Sequence, residues 1–528
     1  MAPDRRSFPG RAYRWAIPLI VIVLVIALSQ AGGTRSHGRV RDSGRAGALD
    51  PSSLRSPSGD SDPVWIRATL TGAARSPLPR SFLGLSFEYW DLASFDTSPP
   101  LLERTLDLIR VPGDGPLLLR IGGDSADQSY WGGSPGAALG PWPYRLTPRW
   151  LRALASLVRG AHLHLLVDLN LVERSPTRAA RFARALLRAL PPHTVTAFEI
   201  GNEPDIYHHW VDYHLSGPSA LFAAPSGWDR FSPGQYARAF AAYAQALGRV
   251  APQVPLAGPE TAYPERDLAW ERRLLATSLD HVGLLTIHRY PLSGCPHSGA
   301  GHFSTIARVL SVKAASGLKA NVDPALRLAQ DADVPLRMTE LNSVNCEGVR
   351  GVSNTFATAL WAPDALFSLW QAGLAGVNVH VRQGAANGAF AIAGRRLIAR
   401  PLLYGLSLFA RAVGRRGELA ALRVEGSAPS VRLWAVRGSH WLNVLVLDKG
   451  PHPAHVALRL PSTGVAVIQR LLAPSVRATG GVTLAGQHLS ARGVWTGGRA
   501  LGYLRPGSRG RYRILVRPYS AALLSFRI

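Results

Sequence analysis

Eight short apolar runs recur along this chain, at 82–87, 117–121, 164–171, 197–201, 255–258, 284–287, 335–338 and 376–381, with alanine- and leucine-rich stretches between them. Runs this short suit strands and not helices. The intervening segments 148–159, 178–190, 235–250, 324–331 and 354–372 carry apolar residues at helical spacing. A strand that is apolar throughout is covered on both faces, as in a parallel sheet wrapped by helices. Eightfold alternation therefore predicts an α/β chain closed into a (β/α)8 TIM barrel. A doubly wound open sheet is the rival topology, weakened because no G-x-G-x-x-G follows the first run.

Beyond 410 the helical spacing stops. Apolar runs at 431–436, 441–447, 455–460, 465–471 and 513–528, separated by Gly and Pro, predict a C-terminal β-sandwich. The stretch 64–70 (VWIRATL) alternates like a strand although it precedes the barrel, and we expect it to pair into that sandwich. The resulting plan is a signal peptide or signal anchor at 1–31, a disordered linker at 32–63 and an N-terminal strand segment at 64–80. The barrel at 81–409 and the sandwich at 410–528 complete it.

The leader rests on Arg5, Arg6, Arg11 and Arg14 ahead of the uncharged run 15–28. Fourteen apolar residues fit a signal-peptide core better than a spanning helix of about 20. With a loose cleavage site at 29–31, an uncleaved membrane tether stays open. Either places the bulk of the chain outside the cytoplasm. The linker is Gly, Ser, Arg and Pro with almost no large apolar residue, too little to offset ordering entropy. In an exported chain the two cysteines, Cys295 and Cys346, point to a disulfide bracing the loops after the sixth and seventh strands.

The formal charge of +25 comes mainly from arginine, since only Lys313, Lys319 and Lys449 are lysines. It reads either as attraction to an acidic polymer or membrane surface, or as a background bias in composition. Nucleic acid is not an expected partner, because no zinc-finger spacing, RNA-binding strand motif or basic helix appears.

In a (β/α)8 barrel the reacting groups gather where the strands end. Glu203, in FEIGNEPD, closes the fourth run, and Glu340, in LRMTELNS, closes the seventh. Two carboxyls facing one mouth are the equipment of glycoside hydrolysis: one donates a proton to the departing oxygen, and the other attacks the anomeric carbon or activates water. Asn202 can donate to a sugar hydroxyl. On the sixth strand His288 and Tyr290 share a face by the two-residue period, so Tyr290 either orients the nucleophile or lines the rim. His162 and His164 form an isolated HxH, and His208 and His209 a loop pair; lacking a third ligand at suitable spacing, neither predicts a metal site.

The stretches FLGLSFEYW (82–90), RIGGDSAD (120–127), EIGNEPD (199–205), the long segment 339–367 beginning TELNSVNCEGVRG, and PLLYGLSLFA (401–410) together resemble glycoside hydrolase family 79, which contains the heparanases and bacterial β-glucuronidases. The resemblance implies Glu203 as acid/base and Glu340 as nucleophile of a retaining double displacement, with no metal or organic cofactor. It also implies that Glu88 and Asp124 hold sugar hydroxyls, with Gly122 and Gly123 letting the backbone bend close to the ligand. Phe390 departs from the family, standing where a tyrosine contact is expected, which bears on recognition of a sugar carboxylate. The expected substrate is a glycan with β-linked glucuronic acid or a related uronic acid. Alternatives are a neutral-sugar glycosidase (xyloside, galactoside or arabinoside) and a surface carbohydrate-binding protein without turnover.

Overall fold

The computed structural model describes residues 64–72, 76–95, 98–132, 144–209, 231–295, 304–426, 428–462 and 464–528. The expected leader (1–31, with its run at 15–28) and linker (32–63) lie outside the described residues. Among those described, no helix is long and apolar enough to cross a membrane.

Eight parallel strands close into a barrel in chain order: Leu83–Glu88, Leu117–Gly122, Leu163–Leu169, Val195–Ile200, Leu256–Thr261, Val282–Arg289, Leu336–Leu341 and Gly376–His380. They are called barrel strands one to eight below. Helices including Pro148–Gly160, Pro176–Ala189, Pro233–Gly248, Leu318–Asp331 and Phe356–Ala372 cross between them. Pro at the first turn and a Thr147 or Ser232 hydroxyl capping the exposed backbone N–H groups start two of these helices cleanly. Outward-facing strand side chains such as Leu85, Leu119, Val167, Phe198 and Ile287 pack with the helices into one large core.

Inside the barrel the residues differ by depth. Leu118, Leu166, Ala197 and Ala257 fill a lower apolar layer. Above it the inward positions turn polar while remaining buried, and these include Ser86, Glu88, Arg120, Asp168, Glu199, Glu260, Thr286, His288 and Asn378. Buried polar groups are costly unless hydrogen-bonded, and this layer bonds largely within itself, although atoms such as Thr286 Oγ1 lack a partner among the described residues.

The C-terminal region forms two antiparallel-rich sheets over a second core. Val64–Leu70 lies in the smaller sheet, between Leu422–Glu425 and Ala454–Arg459, with Arg511–Val516 on the far edge. The apolar run expected as one strand at 513–528 is two. Arg511–Val516 belongs to the smaller sheet and Ser520–Arg527 to the larger, where it pairs with Trp441–Asp448 and Ala466–Leu472. A turn with Tyr519 at φ 47° carries the chain across. Alternation alone does not reveal that a strand changes sheets.

The larger sheet packs on the barrel through helix Phe356–Ala372. Asp364 accepts from Trp434 Nε1 (3.0 Å) and from Lys449 Nζ (2.6 Å), all three buried, and the Phe367 and Trp434 rings stack at 5.4 Å.

Candidate active site

Local backbone geometry brings the two expected glutamates together. By the two-residue period Arg337 and Thr339 face inward, which would turn Glu340 outward beside Met338. Instead the pairing skips a residue: Ile287 faces Met338, but His288 faces Glu340. This bulge rotates Glu340 into the mouth, as bulges beside active sites commonly do. Glu203 lies past the end of barrel strand four in a left-handed conformation (φ 49°), after Gly201 at φ 76°. One oxygen of Glu203, one of Glu340 and a ring nitrogen of His288 lie within 4.8 Å of one another.

The surrounding motif residues hold this arrangement. Asp127 accepts from the backbone N–H groups of Leu171, Val172 and Asn202 and from the Tyr207 hydroxyl, tying loops after strands three and four to the strand-two turn. Asp205 accepts from Ala262 N (2.9 Å) and Tyr263 N (3.2 Å), fixing the loop after strand five. Gly122 and Gly123 were expected to bring backbone close to ligand. What they admit is protein: a side chain at Gly122 would strike Asp168, and one at Gly123 would meet Glu88 Oε1 at 2.8 Å.

At the centre stands Arg120, which the motif search passed over. Fully buried, it donates from Nε to Glu199 (3.1 Å), from Nη1 to Glu340 (2.9 Å) and Ser86 (3.2 Å), and from Nη2 to Asn202 (2.8 Å), Glu260 (2.5 Å) and Asp168 (3.3 Å). Five strands or strand ends thus converge on one guanidinium, whose planar fork suits several carboxylates at once. Burial works to lower its pKa, but Glu260, Glu199, Asp168 and Glu340 outweigh burial and raise it. Burial holds Glu260 and Asp168 well above the usual carboxylate range, with only partial relief from Arg120.

The two glutamates have opposite surroundings. Both Glu340 oxygens act as acceptors, Oε2 from Arg120 and Oε1 from the Tyr290 hydroxyl (2.5 Å). Burial and Glu340 keep Tyr290 a neutral phenol, hence a donor. Its oxygen lies 2.8 Å from His380 Nδ1, and His380 Nε2 lies 3.3 Å from Glu88 Oε1. Burial would discharge His380, yet Glu340, Glu88 and Asp124 prevail and push its pKa up to about 9. Among the described residues Glu203 has a single close side-chain partner, His288 Nδ1 at 3.0 Å. Burial, then Glu340, Asp124 and Asp205, hold its carboxyl well above the usual range. Burial and the nearby Arg120 and His380 keep His288 neutral. The surroundings of one carboxyl therefore favour its protonated form, and the other is presented as an acceptor between two donors, the division of labour that acid–base chemistry requires.

Of the remaining expected residues, Asn202 donates to Asp124 Oδ1 (3.4 Å). Asp124 also meets Arg382 Nη1 (3.4 Å), and burial with Glu88 pushes its carboxyl up to about 8. Glu88 accepts from Ser125 N (2.8 Å). Arg382 continues to Glu347 (3.3 Å) and lies over the Trp90 ring at 5.2 Å. Cys295 and Cys346 are bonded, joining the loops after strands six and seven. Phe390 does not reach the site, being buried against Phe87 and Phe95. His164 starts at the opposite end of barrel strand three and His162 precedes it, so the HxH lies away from the mouth. His208 and His209 fall in the turn Pro204–His209.

Sequence reading missed Arg120, Asp168, Glu199, Glu260, His380 and Arg382. The signal was available in part: Ser86 and Glu88, Thr286 and His288, and Asn378 and His380 are polar residues spaced by two within otherwise apolar runs. Glu203, His288 and Glu340 also converge as metal ligands would. Glu340 is already paired with Arg120, however, and a divalent ion would face the positive Arg120 and His380. A cavity of about 670 Å³ lined by Ser304, Lys449, Arg477 and Tyr519 lies between barrel and sandwich and contains neither glutamate.

No protein-family model and no curated protein matches this chain. Solved structures do. A 4-O-α-L-rhamnosyl-β-D-glucuronidase from Fusarium oxysporum 12S aligns over 87% of this chain and 100% of its own, at 16% identity and TM-score 0.67. A family 51 arabinofuranosidase from Xanthomonas axonopodis pv. citri covers 88% and 100% at 15% identity and TM-score 0.64. A family 30 endoxylanase from Clostridium papyrosolvens C71 covers 88% and 100% at 13% identity and TM-score 0.52. The shared feature is the fold. Each neighbour is a glycoside hydrolase with a barrel of this kind and an added sheet domain.

Proposed function

We propose that the protein is a retaining β-glycosidase. The observation that carries this is the pairing of Glu203 and Glu340, oxygens within 4.8 Å, one carboxyl with its pKa raised by burial and by Glu340, and the other held by Arg120 and Tyr290. Retaining enzymes keep their carboxyls ~5–5.5 Å apart, whereas inverting ones need ~6.5–9.5 Å to admit water. In this reading Glu340 attacks the anomeric carbon while Glu203 gives its proton to the departing oxygen, leaving a glycosyl ester on Glu340. Glu203, now ionised beside neutral His288, takes a proton from a water whose oxygen bonds to the anomeric carbon; the ester bond to Glu340 breaks, Glu340 leaves as a carboxylate, and the sugar departs with its configuration unchanged.

For the sugar we propose a β-linked glucuronic acid or related uronic acid, within a glycan met outside the cytoplasm. Three observations support this. The five quoted stretches resemble family 79, one structural neighbour is named as a glucuronidase, and Arg382 brings a cation to the edge of the site. With Phe390 buried elsewhere, Arg382 takes over as the candidate partner of a sugar carboxylate. The arabinofuranosidase neighbour favours a neutral pentoside as the second reading. A panel of aryl glycosides followed by anomeric NMR tests both. We expect aryl β-glucuronide to be cleaved with the β-product first, and a 2-fluoro glucuronosyl donor to label Glu340. An inverted first product, or a label elsewhere, would overturn the mechanism; cleavage of arabinoside alone would overturn the sugar.

A further inference from the structure

The smaller sheet of the C-terminal region carries a surface that catalysis leaves unused. Its register places outward residues in three rows. Trp65, His455 and Leu515 lie side by side; then Glu425, Arg67, Ala457 and Arg513; then Arg423, Thr69, Arg459 and Arg511. Arg67, Arg423, Arg459, Arg511 and Arg513 are exposed, while the alternate residues Ile66, Val456, Leu458, Tyr512 and Ile514 are buried in the second core. Glu425 is the one acid in these four strands, and it is paired with Arg423 (3.4 Å).

Two features distinguish this face from an ordinary solvated sheet. Arg459 and Arg511 are direct cross-strand partners, an arrangement of like charges that costs stability when nothing neutralises it. Trp65 remains 65% exposed although its ring is fixed against His455, with centroids 4.3 Å apart and planes 12° from parallel. A large aromatic held rigid in water loses little entropy on binding and offers an apolar face to a ring. The backbone positions that carry these arginines lie in lines across the sheet, about 5 Å apart between adjacent strands and about 10 Å apart for Arg67 and Arg513, two strands away. Such forks match carboxylates in two-point contacts.

We propose that this sheet face binds a linear carboxylated polysaccharide, its acid groups on the arginine rows and a sugar ring against Trp65. Binding here would hold a polymer on the enzyme independently of the bond being cut. The choice of a glycan, and not another polyanion, rests on the function proposed above.

The test uses the full chain and an immobilised polyuronate, with a neutral glucan, vesicles of phosphatidylcholine and phosphatidylserine, and duplex DNA in parallel. Wild type should bind the polyuronate with an affinity that falls as salt rises, and should leave the glucan unbound. Replacing Arg459, Arg511 and Arg513 by Ser should weaken that binding at least tenfold, leave hydrolysis of a small aryl glycoside unchanged, and leave the melting temperature equal or higher. Trp65→Ala should weaken it several-fold. If the triple variant fails to fold, Arg513→Glu with its melting curve gives the same reading. Equal polyuronate binding by wild type and variant overturns the proposal. So does stronger, arginine-dependent binding to vesicles or DNA, which would make the face a membrane or nucleic-acid surface. Polyuronate binding that depends on the arginines, in a chain without aryl-glycoside activity, would sustain this surface while sinking the proposed catalysis.

Discussion

Exchanging His380 for Gln removes the cation that stands 3.4 Å from Glu340 and 3.3 Å from Glu88. In the folded protein burial opposes its charge, but Glu340, Glu88 and Asp124 lift its pKa from 6.5 to about 9. That displacement corresponds to about 3 kcal/mol favouring the charged form. Because the folded value exceeds the unfolded one, the stabilisation is complete below pH ~6.5 and disappears as pH rises through about 9. Without the cation, Glu88, whose pKa the His380 contact helps to lower, keeps its proton to higher pH, since an opposite charge at this range is worth ~1–3 pKa units. We therefore expect the acidic limb of kcat/KM for the best aryl glycoside to move alkaline by ~1–2 units, with a ~10–100-fold loss near pH 5 that largely recovers by pH 8. In denaturant titrations the stability gap between wild type and variant should be about 3 kcal/mol at pH 6 and close toward pH 9.5. A uniform rate loss with no movement of the limb, or a stability gap independent of pH, would refute the argument and reduce His380 to a spacer.

Arg120→Lys keeps a charge but not the fork that joins Glu199, Glu260, Asp168 and Glu340; we expect stability to fall by about 3–5 kcal/mol and turnover by more than ~100-fold, measured by chemical unfolding and steady-state kinetics. Asp364→Ala leaves Lys449 buried and unpaired and frees the Trp434 N–H, so its cost should also be about 3–5 kcal/mol, while Asp364→Leu combined with Lys449→Met should recover most of it. Removing the disulfide with Cys295→Ser and Cys346→Ser opens a loop of 51 residues, for which unfolding should show a loss of about 2–4 kcal/mol, and KM should rise more than kcat falls because the rim loops loosen.

The sequence by itself determined the architecture, because it depends on periods that short segments carry alone. Eight apolar runs alternating with helical ones call for a parallel sheet covered on both faces, which a barrel or a doubly wound open sheet supplies, and the missing G-x-G-x-x-G favoured the barrel. A strand-end glutamate at 203 and another at 340, 137 positions apart, mark the mouth for the same reason. Two cysteines, read with an expected leader, pointed to the bond that the loops after strands six and seven make. The tertiary structure alone decided which side chains meet. The bulge that turns Glu340 inward is a property of the pairing between strands six and seven, and neither strand reveals it singly. Arg120 looks like one arginine among many until four carboxylates from other strands close around it. The final apolar run divides between two sheets because its two halves pair with different strands. Periodicity is local and survives in one dimension; charge pairing and register belong to contacts between distant segments, and only closure of the barrel brings those into range.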